Sequence, residues 1–131
     1  MTGAELKTLR ESLGLSVAWL AVQAGVQERT VRYWESGRVA VPVDVAGLIA
    51  RIEASTGEHV AQALAVVAET TADQGAAPES VDLRRYGTDD ELWRAHPGLR
   101  PLPATWHAAT LARVRRALAE QGVPARIEYA H

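Results

Sequence analysis

Apolar residues in the first half of the chain recur every three or four positions, which is the period of an amphipathic α-helix. Capping residues such as Thr2 and Ser16 stand before these runs, and glycines follow several of them, as at helix ends. Together these signals predict five helices, over about residues 3–13, 17–24, 28–36, 43–55 and 58–68. Thr56 and Gly57 are predicted to separate the last two helices.

Residues 70–80 are small and polar, include a Gly and a Pro, and show no apolar periodicity, and this composition is typical of a linker. We therefore expect an N-terminal domain over residues 1–69 and a C-terminal domain over residues 81–131. In the second domain, alternating apolar residues predict strands at Val81–Tyr86 and Val123–Tyr129. A short helix and a long one are predicted between them, so the order is β-α-α-β and the predicted fold class is mainly α with a small α+β C-terminal domain.

The composition excludes several kinds of chemistry. The chain has no cysteine, which excludes disulfides, thiolate zinc sites and cysteine nucleophiles, and a reducing cytoplasm is the expected location. A formal net charge of -2 excludes a polybasic coat, so any nucleic-acid site must be a local patch. No apolar stretch resembles a membrane span or an N-terminal signal, and we expect no membrane partner.

The sequence gives catalysis little support. The four histidines show neither HxxxH nor HExxH spacing, and the chain contains no GxGxxG, Walker or GxSxG motif. We therefore expect no enzymatic activity and no bound metal or cofactor. His107 lies on the apolar side of the long helix and is predicted to be a hydrogen-bonded core residue, while Trp93 and Trp106 are predicted to belong to the core of the C-terminal domain.

The second and third predicted helices have the spacing of a helix-turn-helix. They are joined at Gly25, and the small Ala21 one turn earlier lets the two helices cross closely at about a right angle. The segment LSVAWLAVQAGVQERTVRYWESGR resembles the phage repressor and Cro type, or Xre type, of bacterial regulators. The resemblance covers about residues 4–56 and rests on Leu20-Ala21, Gly25-Val26, Thr30-Val31, Trp34-Glu35, Gly37 and Pro42. It implies a lambda-repressor-like bundle that binds double-stranded DNA.

This resemblance implies that the third helix enters the major groove, where its outward side chains meet base edges. Val31 and Trp34 face inward by periodicity. The residues left outside are the predicted base contacts, Gln27, Glu28, Arg29, Arg32 and Tyr33. Arg29 and Arg32 are the strongest candidates among them, because an arginine fork matches guanine O6 and N7.

Further roles follow from the same resemblance. Ser16 and Arg38 resemble phosphate-contacting positions, and Arg10 and Glu35 resemble the structural pair that ties the third helix to the first. Two positions depart from the family pattern. They are Val17, where relatives usually carry glutamine, and Gln27, where Ser or Thr commonly caps the recognition helix.

The segment from DLRRYGTDDELW to RIEY is similar to the C-terminal part of small bacterial and phage regulators, including anti-CRISPR-associated autorepressors. The similarity implies a homodimer that represses its own operon through a palindromic operator. Two short strands also make a marginal sheet, which a second copy would complete. Two alternatives stay open. One is an antitoxin whose C-terminal half binds a toxin protein, and the other is a ligand-sensing regulator with a pocket between Trp93, Trp106 and His107.

Two surface features also allow two interpretations each. Trp19 is expected to contact the second domain or another subunit, or to be partly buried. The basic stretch formed by Arg113, Arg115 and Arg116 is either a solvated helix face or a second nucleic-acid contact.

Overall fold

The computed structural model describes residues 1–130, and within them the chain is mainly helical, as predicted. The helices are α1 Gly3–Ser12, α2 Val17–Ala24, α3 Glu28–Glu35, α4 Val43–Gln74, α5 Asp89–Ala95 and α6 Ala104–Glu120. The strands are β1 Val81–Arg85 and β2 Ala125–Tyr129, and a short 3-10 turn spans Pro97–Leu99. Packing divides the chain into two units, the first covering Met1–Ser55 and the second beginning at Thr56.

The first unit is a bundle of α1, α2, α3 and the beginning of α4. The apolar residues that define its predicted inner faces are fully buried, among them Leu6, Leu20, Val31 and Ile49. The capping box at the start of α1 is present, because the Thr2 N–H donates to Glu5 Oε1 at 2.8 Å and the Glu5 N–H donates to Thr2 Oγ1 at 3.0 Å. Hydrogen bonding of the Glu5 carboxylate to the backbone N–H and the side chain of Thr2 lowers the pKa of this carboxyl.

The first turn of α1 lies against the last turn of α3. A Cβ atom added to Gly3 would collide with the carbonyl oxygen of Trp34 and would lie 2.7 Å from that of Glu35. No other residue fits at this position without moving backbone, because the atoms in the way belong to the main chain of α3. Gly3 therefore allows a close approach that the sequence pattern did not reveal.

The prediction of two helices separated at Thr56 and Gly57 is wrong, because α4 runs without a break from Val43 to Gln74. A glycine within a helix costs only about 1 kcal/mol relative to alanine, which tertiary contacts can offset. Thr56 supplies such a contact: its side chain is buried and its hydroxyl accepts a 2.9 Å hydrogen bond from the indole N–H of Trp106. The first five residues of the predicted linker, 70–74, are likewise the end of α4.

The second unit combines the rest of α4 with a two-stranded sheet. Strands β1 and β2 pair in parallel, with Val81 opposite Ala125 and Leu83 opposite Ile127. A parallel pair needs a crossover connection, which α5, the 3-10 turn and α6 provide. One buried apolar cluster of the unit is formed by Val67, Val114, Leu118 and Val123.

The two tryptophans of this unit differ in burial. Trp106 is fully buried, as predicted, whereas Trp93 is half-buried and carries the guanidinium of Arg100 over its ring at 4.8 Å. Asp89 caps α6 from outside that helix, since its Oδ1 accepts a 2.7 Å hydrogen bond from the Ala104 N–H. Among residues 1–130, no helix is long and apolar enough to cross a membrane.

Candidate nucleic-acid interface

The turn between α2 and α3 follows from local sequence. The hydroxyl of Ser16 accepts a 2.9 Å hydrogen bond from the Trp19 N–H and so caps α2. The helix ends at Gly25, whose φ of 69° is left-handed, and the following Val26 N–H returns to the Ala21 carbonyl at 3.0 Å. A Cβ at Gly25 would meet nothing within 4 Å, so the left-handed backbone is what favours glycine there.

Helix α3 buries one face and exposes the other. Val31 is 0% exposed and Trp34 is 4% exposed, and both pack inward as the periodicity predicts. The predicted base contacts all lie on α3 or at its start. Gln27, Glu28, Arg29 and Arg32 are exposed, and Tyr33 is half-buried.

The exposed polar side chains of α3 are held only weakly. Gln27 is the N-cap residue of α3, yet its side chain makes no capping hydrogen bond. Glu28 and Arg32 form an ion pair at 3.4 Å with about half of each side chain exposed, and pairs of this kind contribute roughly 0–1 kcal/mol. Among residues 1–130, none forms a salt bridge with Arg29. These groups are therefore available to a ligand at low energetic cost.

Two of the predicted contacts lie close together at the end of α3. The chain turns at Gly37, with a φ of 80°, and the guanidinium of Arg38 stacks 4.6 Å from the centre of the Tyr33 ring. The Val39 N–H closes the turn on the Tyr33 carbonyl at 3.1 Å. The sequence predicts a base contact for Tyr33 and a phosphate contact for Arg38, but it does not predict this cation–π contact between the two side chains.

Ser16 stands at the start of α2 and is exposed. Because its oxygen accepts the capping hydrogen bond, its hydroxyl proton is left to donate. The N-terminal end of α2 also carries a partial positive charge that favours an anion. Val17, which follows, offers no hydrogen-bonding side chain, as the departure from the family pattern indicates.

Arg10 and Glu35 join α1 to α3 beneath this surface. Arg10 Nε and Nη2 donate to the two Glu35 carboxylate oxygens at 2.6 and 2.9 Å, and Arg10 Nη1 donates to the Leu15 carbonyl at 2.8 Å. The side chains are 9% and 6% exposed. The hydrogen bonds to Glu35 raise the pKa of Arg10. The pair is a buried bidentate contact that fixes the end of the helix carrying the exposed side chains.

Trp19 and the basic stretch of α6 are also placed. Trp19 is half-buried rather than fully exposed. In α6, Arg115 and Arg116 are exposed, and Arg115 Nε donates to the Ala125 carbonyl at 3.1 Å, so one of the three arginines also ties α6 to β2.

A short helix packed by Leu20 and Ala21, a left-handed glycine turn and a second helix with one polar exposed face define a helix-turn-helix DNA-binding unit. The family model of the helix-turn-helix domain matches residues 2–72, more than half of the 131-residue chain, and the chain belongs to this family. No curated protein matches the chain. The assignment to the Xre type and the resemblance of the C-terminal part stay predictions.

Proposed function

We propose that the protein is a sequence-specific transcriptional repressor that binds a palindromic operator as a homodimer and represses its own operon. The observation that carries the proposal is the exposed face of α3 in a helix-turn-helix unit, where Arg29 and Arg32 present two guanidinium groups. The two residues are three positions apart and so lie on neighbouring parts of the same helix face. A recognition helix places such side chains against base edges.

The chemistry of the exposed face suits direct reading of bases. Arginine offers a bidentate pair to guanine O6 and N7, glutamine pairs with adenine, and glutamate accepts from cytosine N4. Arg29 and Arg32 are the main readers in this proposal, and Gln27, Glu28 and Tyr33 contribute at neighbouring base pairs. The weak Glu28–Arg32 pair opens when Arg32 turns to a base, which costs little because both groups are exposed.

Phosphate contacts fix the register of α3 on the duplex. Ser16 offers a hydroxyl proton at the start of α2, and Arg38 offers a guanidinium just beyond the end of α3. The Tyr33 ring beneath Arg38 restricts the motion of that guanidinium, so less entropy is lost when it binds a phosphate. These contacts position the protein without reading sequence.

Dimerisation is assigned to the second unit because, within residues 1–130, no third strand pairs with either edge of its two-stranded sheet. The two-stranded ladder uses the Val81 N–H to the Pro124 carbonyl at one end and the Ala130 N–H to the Arg85 carbonyl at the other. By the alternation of a parallel ladder, Asp82 and Arg84 direct their backbone groups to the opposite, outer edge of β1. A two-stranded sheet is marginal alone, and edge pairing with a second copy would extend it.

Selection of bound DNA from a random pool, followed by footprinting, tests the proposal. The expected result is a two-fold symmetric site with half-sites about one helical turn apart. Arg29→Ala and Arg32→Ala should each weaken operator binding by about 1–3 kcal/mol and relax the preference at one base pair. Arg51→Ala, which removes an exposed arginine of α4 in the same unit, is the matched control and should change affinity little. Unchanged operator affinity in both α3 variants would refute the recognition-helix assignment.

The cysteine-free chain allows a direct test of the dimer. A spin label on Asp82→Cys should report a defined distance between two copies if they meet at the edge of β1, and the full chain should sediment as a dimer. A spin label on Lys7→Cys, in α1, is the control, because this position is far along the sequence from β1 and its label should not report that distance. A protein that is monomeric on and off DNA would refute the dimer, and co-purification of a second small protein would favour the antitoxin alternative.

A further inference from the structure

Strand β2 has an outer edge that the proposed dimer contact at β1 does not use. Within residues 1–130, the sheet consists of β1 and β2 alone. The Pro124 carbonyl and the Ala130 N–H, at the two ends of β2, both bond to β1. By the alternation of a parallel ladder, the odd-numbered residues of β2 therefore direct their backbone groups away from β1, to the outer edge.

Most of the backbone groups on this outer edge have no strand partner. Arg115 Nε donates to the Ala125 carbonyl at 3.1 Å, which agrees with an outward direction for the odd-numbered residues. Within residues 1–130, no strand pairs with Ile127 or Tyr129 on this side. Tyr129 is also 55% exposed, a high value for a large aromatic side chain. An open edge of this kind is a template for the addition of another strand.

A groove of about 590 Å³ lies against the same edge. One wall belongs to a single face of α6, where four exposed residues follow helical spacing, and the other belongs to β2 and the residue before it. The lining residues are Ala112, Arg115, Arg116, Ala119, Pro124, Ala125 and Ile127. Small and aliphatic side chains make up most of this lining, so the groove leaves room for an added chain and gives its side chains an apolar surface.

The charge at the groove is positive. Arg115 and Arg116 are both exposed, and among residues 1–130 neither forms an ion pair with a carboxylate. Two guanidinium groups beside an open strand edge attract carboxylates and repel cations. The backbone edge therefore specifies an extended chain, and the arginines specify its charge.

We propose that the outer edge of β2 and this groove bind an extended acidic segment of another protein, which adds to the sheet as a third strand. The backbone groups of Ile127 and Tyr129 provide the hydrogen bonds to the added strand. Successive side chains of a strand point to opposite faces, so acidic residues at alternate positions all face α6, where they meet Arg115 and Arg116.

Two other occupants fit the edge less well. A second copy of β2 brings its own Arg115 and Arg116, so two-fold pairing at this edge places like charges close together. Duplex DNA satisfies the arginines, but a phosphate backbone does not pair with a strand edge and gains nothing from the apolar lining. An acidic segment satisfies the edge, the lining and the arginines together.

This groove is separate from the pocket that the sequence predicts near His107. The cavity that His107 helps to line contains neither Trp93 nor Trp106 among its lining residues. Within residues 1–130, no group bonds to the buried His107 Nδ1, so the prediction of a hydrogen-bonded core histidine is wrong at this atom.

The test uses the full chain and a peptide of alternating threonine and glutamate with blocked termini. Binding is measured by calorimetry, and the amides of β2 are followed by NMR hydrogen exchange. The peptide should protect the Ile127 and Tyr129 amides and bind roughly tenfold more tightly than a threonine–lysine peptide, because ion pairs replace repulsions. Arg116→Glu should reverse this preference. Arg94→Glu, which changes an exposed arginine of α5 in the same unit, is the matched control and should leave it unchanged.

A second peptide separates strand addition from simple attraction between charges. The threonine–glutamate peptide with an N-methylated backbone keeps its charge but cannot donate strand hydrogen bonds, so its binding should be lost. The proposal is overturned if this peptide binds as well as the first, if neither peptide binds, or if protection falls on Asp82 and Arg84 of β1. It is equally overturned if Arg116→Glu weakens binding of duplex DNA but not of the peptide, or if the Ile127 amide becomes protected with rising protein concentration alone, which would indicate a second copy.

Discussion

The buried pair between Arg10 and Glu35 gives the sharpest stability prediction. In Glu35→Ala, the Arg10 guanidinium loses two hydrogen bonds of 2.6 and 2.9 Å and keeps the one to the Leu15 carbonyl. Arg10 is only 7% exposed, so water does not readily replace the lost partner. Removing one member of a buried ion pair typically costs about 3–5 kcal/mol, because the other charge is left buried and unpaired. We expect a loss of about 3 kcal/mol.

Thermal and denaturant unfolding of the full chain measure this loss. At roughly 4–8 °C per kcal/mol for a small domain, the first unit should melt roughly 12–24 °C lower. Glu28→Ala is the matched control, because it removes the same kind of partner from Arg32 at an exposed site and should cost less than about 1 kcal/mol.

The double variant Arg10→Met with Glu35→Leu tests the cause of the loss. It should recover much of the stability, since neither charge is then buried alone. If Glu35→Ala and Glu28→Ala destabilise the protein equally, the reasoning from burial fails.

Three further predictions concern a backbone contact, a phosphate contact and a titrating group. Gly3→Ala should destabilise the fold by about 1–3 kcal/mol, because the added methyl group meets the α3 backbone. Gly57→Ala, which has open space around the added methyl group, should stabilise the fold by about 0.5–1 kcal/mol. Chemical denaturation measures both free energies of unfolding, and a change of the same sign in the two variants would contradict the close approach of α3 to Gly3. Arg38→Ala should weaken specific and non-specific DNA binding about equally and make the salt dependence shallower by about one unit, so a loss confined to one base pair would contradict a phosphate role. His107 has a pKa of about 4 in the folded protein and 6.5 ordinarily, so the unfolded chain takes up its proton first as the pH falls. The stability present above pH 6.5 should therefore decline toward pH 4, by about 1–2 kcal/mol after allowance for the partial exposure of the ring. This decline should be smaller in His107→Phe. Measuring the free energy of unfolding against pH for both proteins, each of which keeps His59 and His96, isolates the contribution of His107.

Local patterns determined most of the first unit. Capping residues, the glycine at 25 and the inward spacing of Val31 and Trp34 act within one or two helical turns, so the sequence alone predicts α1 to α3 and the residues that α3 exposes. The same local logic predicted the order of elements in the second unit. Contact between those exposed residues and DNA stays a prediction, because a local sequence pattern describes the fold of the chain and not the molecule that binds it.

Only the tertiary structure decided the features that depend on residues far apart in sequence. Gly57 predicts the end of a helix, yet α4 continues through it. The buried Trp106 indole donates a hydrogen bond to Thr56, the residue before Gly57, and this contact supports the helix there. Gly3 has no visible role until the end of α3 lies against it. The cavity of about 250 Å³ that His59, Leu83 and His107 help to line likewise exists only where side chains from several elements meet. Hydrophobic periodicity identifies which face of a helix or strand is buried, but not how completely neighbouring side chains fill the space against that face.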